Sequence, residues 1–189
     1  MDMSLLRDAV AAGLHACDHD LDGWEAAARA AGLMVVRVDL EHCATKGAIL
    51  DAFADACGLP EYFGGNWDAL DECLRDDAWH EPRDAARQGL LWRIDGAALA
   101  AREAPDAFET LVDILDDAVE AWRERGIACW VLVATDEPAE FGLDALPASD
   151  AADSGRLCSV RVASKSRPSV RSMFMCTNRR SSGALKRQS

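Results

Sequence analysis

Three short apolar runs constrain the fold of this chain more than any other feature. They occupy residues 33–40, 89–95 and 127–133, and a glycine lies next to each of them. Their length and their content of branched apolar residues predict buried strands. Helical patterns lie between them, so each connection has to cross over, as it does between parallel strands. The sequence therefore predicts an α/β fold with a small three-stranded parallel β-sheet packed with helices.

Capping residues bound the helices between these strands. Thr45 is a suitable N-cap for a helix that Gly58 ends. Pro105 begins the longest helix, which runs to Gly126. Asn66 can cap a short helix between them, whose apolar side is made of Trp67, Leu70, Cys73 and Leu74.

Residues 1–32 are predicted to form an N-terminal helical extension. Short apolar stretches at residues 5–12 and 24–31 have helical character. Between them, His15, Cys17 and His19 form an H-x-C-x-H pattern of metal-ligating types. On a helix, residues two apart point in different directions, and no second cluster has zinc-finger spacing. We therefore expect the end of a surface helix here, and no metal.

Charge divides the chain into an acidic body and a basic tail. Residues 1–150 hold 11 Lys and Arg against 32 Asp and Glu, a net charge of −21, whereas residues 151–189 hold 9 against one. The tail is also rich in serine and poor in large apolar residues, so it cannot offset its ordering entropy. Residues 137–189 are therefore predicted to be an irregular linker and a disordered basic tail.

The acidic body argues against several classes of function. A general nucleic-acid binder has a basic footprint, so no nucleic acid is expected on the main domain. No apolar run reaches the length of about 18 residues that a membrane span needs. The seven cysteines include no C-x-x-C pair, and the first residues show no secretory signal. We therefore expect a cytoplasmic protein with free thiols.

The chain shows no pattern typical of a catalytic or cofactor site. It has no G-x-G-x-x-G, Walker or G-x-S-x-G motif. His42 and His80 cannot be placed in a Ser/His/Asp or Cys/His set, and the cysteines are interpreted as small core residues. The sequence therefore predicts a protein that is not an enzyme and that needs no cofactor.

Residues 59–74 are the most informative part of the chain. A glycine loop leads there into a short acidic helix, in which Asp68 and Glu72 are four residues apart and share one face. Like charges at this spacing cost about 0.2–0.5 kcal/mol. Asp71 adds a third acid, and Tyr62, the only tyrosine of the chain, lies at the edge of the patch. The patch is either a solvated face or a preformed negative surface for a cationic pocket.

Two other functions are open on these residues. Asp68, Asp71 and Glu72 together could hold Mg²⁺ in an acidic-cluster hydrolase, although no substrate pocket or nucleophilic partner is evident nearby. Alternatively, the basic tail could make the protein a regulatory adaptor that engages RNA or an acidic protein.

The stretch at residues 59–74 resembles the signature of the barstar-like ribonuclease inhibitors. The resemblance rests on LPEYFG at residues 59–64, NWDAL at residues 66–70 and the Cys-Leu pair that follows. The strands and helices around this stretch have the order of that family over residues 33–136. The resemblance implies a barstar-like domain there, with residues 1–32 and 137–189 outside it. Asp71 departs from the family pattern because it replaces an aromatic residue.

The resemblance implies an immunity protein that occludes the active site of a basic, barnase-like secreted ribonuclease. Carried over to this chain, the partner-binding residues are Tyr62, Gly64, Asn66, Asp68 and Glu72. The two carboxylates would take the place of RNA phosphates, because carboxylates form charge-assisted pairs with arginine.

Overall fold

The computed structural model describes residues 3–17, 20–59, 64–75, 89–135 and 144–145. The helices are α1 Met3–Leu6, α2 Leu21–Ala30, α3 Lys46–Cys57, α4 Trp67–Arg75, α5 Ala97–Glu103 and α6 Pro105–Glu124. The strands are β1 Leu14–Cys17, β2 Met34–Asp39, β3 Gly89–Asp95, β4 Ala128–Ala134 and β5 Asp144–Ala145. The α/β class is thereby confirmed, while nearly all of the predicted linker and tail lies outside the described residues.

The described strands form one parallel sheet in the order β2-β3-β4-β1-β5. The three predicted strands are β2, β3 and β4, but the prediction of a three-stranded sheet is wrong. β1 pairs with β4, with Leu14 opposite Val131 and Cys17 opposite Ala134, and the two-residue β5 pairs with β1. β1 has no β-branched residue and only four residues, so its pairing with β4, rather than its local sequence, makes it a strand.

The helical interpretation of the N-terminal extension is corrected by β1. His15 and Cys17 are buried in this strand rather than placed at a surface helix end. The His15 ring lies 5.7 Å from the ring of Trp130 on β4, measured between centroids. His19 lies outside the described residues. The pattern that suggested metal ligands therefore includes two residues that help to fill the interior.

The sheet is covered on both faces, and alternate residues of each strand point to opposite sides. On the first face, residues from α3, α4, α5 and α6 form the main core with Trp92 and Val131. On the second face, Leu6 of α1 and Trp24 of α2 pack with Trp130. The helices α1 and α2 are thus the second helical layer of an α/β sandwich.

Glu25 fixes this second layer through charge as well as apolar contact. Arg37 and Arg93 are directly opposite each other on β2 and β3. The buried Glu25 carboxylate of α2 accepts hydrogen bonds from both of these residues, at 2.6 and 3.2 Å, and from Arg29 at 3.0 Å. These contacts, above all the one from Arg37, lower the pKa of Glu25 from its ordinary 4.5 to about 2. Glu25 therefore bridges two like charges that the strands bring together.

Two predicted helices and their caps are confirmed. Thr45 accepts a hydrogen bond from the Ala48 N–H at the start of α3, and Gly58 ends that helix with a φ of 62°. The long helix begins at Pro105 and ends at Glu124, two residues before Gly126. The short α5 was not predicted from the sequence.

We expect the stabilising effect of Glu25 to depend on pH. Because the pKa of Glu25 is lowered in the folded state, its ionised form contributes stability above pH 4.5, and this contribution disappears as the pH falls through 2. The difference in unfolding free energy between the wild type and Glu25→Gln should therefore be large at pH 7 and shrink toward pH 2. Urea titrations across this range measure it, and a difference independent of pH would contradict the prediction.

We also expect that a fragment of residues 33–134 will not fold stably. It lacks the layer that covers Leu91, Trp130 and Leu132, and exposing each large apolar side chain costs about 1.5–3 kcal/mol, against a typical total stability of about 5–15 kcal/mol. Removal of residues 151–189 alone is the control and should leave cooperative unfolding intact. Circular dichroism melts compare the two fragments, and a melting temperature of the 33–134 fragment equal to that of the full chain would contradict the prediction.

Candidate protein-binding site

Asn66 organises the start of α4. Its Oδ1 accepts a hydrogen bond from the Ala69 N–H at 2.9 Å, so the predicted N-cap is confirmed. Its Nδ2 donates to the carbonyl of Gly64 at 3.3 Å. A Cβ on Gly64 would lie 2.8 Å from this Nδ2, and Gly65 has a φ of 55°, which favours glycine. The loop therefore fixes the direction in which the helix begins.

The inner face of α4 is attached to the main core and to α6. Leu70 and Leu74 are fully buried in that core. The indole N–H of Trp122, on α6, donates a buried hydrogen bond of 2.8 Å to the carbonyl of Leu74. This carbonyl lies in the last turn of α4, where the helix itself supplies no donor. Both ends of α4 are thus held by specific hydrogen bonds.

The outer face of α4 presents two acids. Asp68 lies in the first turn, where a negative charge interacts favourably with the helix dipole, and Glu72 follows one turn later. Both side chains are exposed, and neither forms an ion pair or hydrogen bond with another described residue. We call this surface, defined by Gly64, Asn66, Asp68 and Glu72, the acidic edge.

Asp71 does not belong to the acidic edge, although the sequence groups it with Asp68 and Glu72. Its Oδ1 lies 2.7 Å from the Nε of Arg75, and the Nη2 of Arg75 lies 3.3 Å from Oδ2 of Asp117 on α6. The four-residue spacing of Asp71 and Arg75 could have revealed the first pair. The second joins residues 42 positions apart and depends on the packing of α4 against α6.

A cation also lies near the beginning of α4. The Nζ of Lys46, the first residue of α3, is 5.3 Å from the ring centroid of Trp67, the first residue of α4. This distance suits a cation–π interaction, which is worth about 0.5–1 kcal/mol at an exposed site. Sequence reasoning did not identify this pair, because the two residues meet only when the helices pack.

Four of the five predicted site residues lie in one continuous surface segment. These are the four residues of the acidic edge, whereas Tyr62 lies outside the described residues. Nowhere among the residues that the structure describes do three His, Cys, Asp or Glu side chains group as a metal ion would require. No helix in the described ranges is long and apolar enough to cross a membrane.

Two described cysteines are placed unfavourably for nucleophilic chemistry. Burial raises the pKa of the Cys129 thiol to about 12 and that of the Cys57 thiol to about 12. The thiolate is the reactive form, so these groups stay protonated at neutral pH. Cys129 is fully buried on β4, in agreement with its interpretation as a core residue.

The segment from β2 through α3, the glycine loop, α4 and the later strands matches a known family. The family model described as Barstar (barnase inhibitor) matches residues 33–134, which is more than half of the chain. The chain belongs to the barstar family. This membership confirms the resemblance seen in the sequence, and the family is one of inhibitors rather than of enzymes. A comparison with curated proteins gives no match.

The barstar-family match includes the whole acidic edge but begins after α2. The edge therefore lies in the part of the chain that the family shares. The second helical layer, made of α1 and α2, lies wholly before it.

We expect the Asn66 cap to contribute measurably to stability. Asn66→Ala removes the acceptor for the Ala69 N–H and should lower the free energy of unfolding by about 1 kcal/mol. Asn66→Asp is the matched control, because it keeps an oxygen at the same position and should lose less. Urea denaturation of the two variants tests this, and equal losses would show that the side-chain oxygen does not act as the cap.

Proposed function

We propose that this protein is an intracellular inhibitor that binds a basic, barnase-like secreted ribonuclease and occludes its active site. Tyr62 and the residues of the acidic edge would make the contact. One observation carries the proposal. Asp68 and Glu72 are exposed on one face of a helix, and both ends of that helix are held in place by hydrogen bonds. As the family description names barnase as the inhibited enzyme, a cationic ribonuclease is the partner that we infer.

The proposed chemistry is recognition without bond formation. An active site that holds RNA phosphates presents cationic side chains, and a carboxylate can accept the same charge-assisted hydrogen bonds, often two at once from arginine. Asp68 and Glu72 would occupy such positions while the body of the inhibitor excludes the substrate. We propose that the protein thereby protects the cytoplasm of the cell that makes the ribonuclease.

Rigidity of the acidic edge supports tight binding. The Asn66 cap and the hydrogen bond from Trp122 to Leu74 fix α4 before a partner arrives. A surface that is already ordered loses less conformational freedom on association. The unpaired acids also attract a cationic partner at a distance, so association should be fast at low salt and slow steeply as salt screens the field.

We expect Asp68→Ala and Glu72→Ala each to weaken the complex with barnase at least tenfold, mostly through faster dissociation. Truncating a desolvated, paired carboxylate typically costs about 2–5 kcal/mol, partly because the partner's cation loses its counter-charge. Asp22→Ala is the control, since it removes the same charge from α2 on the opposite side of the sheet. Asp22 pairs with Arg93 there, far from the acidic edge, so its removal should change the affinity by only about 0–1 kcal/mol. Surface plasmon resonance and inhibition of RNA cleavage measure the three variants.

Thermal unfolding separates binding from stability in the same series. Glu72→Ala removes one repulsive pair and should leave the melting temperature unchanged or slightly raised, while Asp68→Ala should lower it slightly through the helix dipole. Equal affinities of all three variants for barnase would mean that the acidic edge is only a solvated face. If neither the wild type nor any variant inhibits RNA cleavage by barnase, the proposed function is contradicted.

A further inference from the structure

Arg75 is the basic residue at the end of α4, and it forms ion pairs with some of the acids around it but not with others. Its guanidinium contacts Asp71 at 2.7 Å and Asp117 at 3.3 Å. With about 3.6 residues per turn, Arg75 projects from the helix between the row of Asp71 and the row of Asp68 and Glu72. Glu72 is three residues away and Asp71 four, so either acid is within range. The guanidinium lies on the side of Asp71, where it also reaches Asp117 of α6.

This arrangement gives the acids of α4 different electrostatic states. Asp71 and Asp117 share one cation, whereas Asp68 and Glu72 have no ion pair with any described residue. A cationic partner that approached Asp71 would have to displace Arg75, so it would gain little binding free energy. A partner that approached Asp68 and Glu72 would meet two unpaired carboxylates about one helical turn apart.

We propose that Arg75 is a specificity-determining residue of the acidic edge. By binding Asp71 and Asp117, it confines the unpaired negative charge of α4 to Asp68 and Glu72. The edge then suits a partner that presents two cations at the matching spacing, rather than any basic surface. This inference rests on the proposed function, because it concerns the partner that the acidic edge accepts.

The experiment compares the effect of Asp71→Asn in three backgrounds: wild type, Arg75→Gln and Arg102→Gln. Arg102 is the matched control, because it is an exposed arginine on α5 paired with Glu103, and its substitution changes the net charge by the same amount. Two probes are used at low salt, barnase and a hexalysine peptide, and dissociation constants are measured by isothermal calorimetry. Circular dichroism confirms that each variant is folded.

In the wild type and in Arg102→Gln, Asp71→Asn should change the affinity for hexalysine by less than about twofold, because Arg75 already occupies the acid. In Arg75→Gln, it should weaken binding about threefold or more, because Asp71 has become available to the peptide. Arg75→Gln alone should bind hexalysine more tightly than Arg102→Gln does. The affinity of the protein for barnase, divided by its affinity for hexalysine, should be lower in Arg75→Gln than in the wild type.

The two probes separate the possible failures. If the wild type does not bind barnase, the proposed function fails, and the hexalysine measurements still decide the role of Arg75. If Asp71→Asn has the same effect in all three backgrounds, Arg75 does not control access to Asp71 and the inference is overturned. Equal binding of hexalysine by Arg75→Gln and Arg102→Gln, including no binding by either, also overturns it.

Discussion

Side chains of β2, β3 and β4 point to both faces of one parallel sheet, and most of them are apolar. A sheet of this kind has to be buried on both sides. The helices α3 to α6 cover one side and thereby place α4 at the surface with its inner residues in the main core. The N-terminal segment covers the other side around Trp24 and Trp130. The acidic edge keeps its position because Leu70 and Leu74 are buried in the main core and both ends of α4 are held by hydrogen bonds.

Acidic side chains occupy two opposite kinds of environment in this protein. Glu25 is buried and accepts hydrogen bonds from three arginines, so its charge holds an element of the fold in place. Asp68 and Glu72 are exposed and have no ion pair with the rest of the described chain, so their charge is available to a partner. Breaking a buried ion pair leaves an uncompensated charge inside the protein and destabilises the fold. An exposed, unpaired acid stays hydrated and costs little folding free energy. The first arrangement stabilises the fold, and the second is the one that we propose for association.

Arg75 connects these two uses of charge. It lies at the surface, yet it joins α4 to α6 and removes Asp71 and Asp117 from the set of unpaired acids. A chain with 33 acidic residues against 20 basic ones attracts many cationic molecules without specificity. In our proposal, specific recognition depends on which acids of α4 remain unpaired and how far apart they are, and Arg75 determines this.

Local sequence determined the three main strands, the caps at Thr45 and Asn66, and the shared face of Asp68 and Glu72. These features follow from residue periodicity and from side chains that bond to backbone within three or four residues, so neighbouring residues suffice to predict them. The order of motifs at residues 59–74 also indicated the family. Only the tertiary structure decided that Leu14–Cys17 is a strand, because four residues without β-branching become extended only beside β4. It also decided that Arg75 pairs with Asp117 as well as with Asp71, since Asp117 reaches Arg75 only when α6 packs against α4.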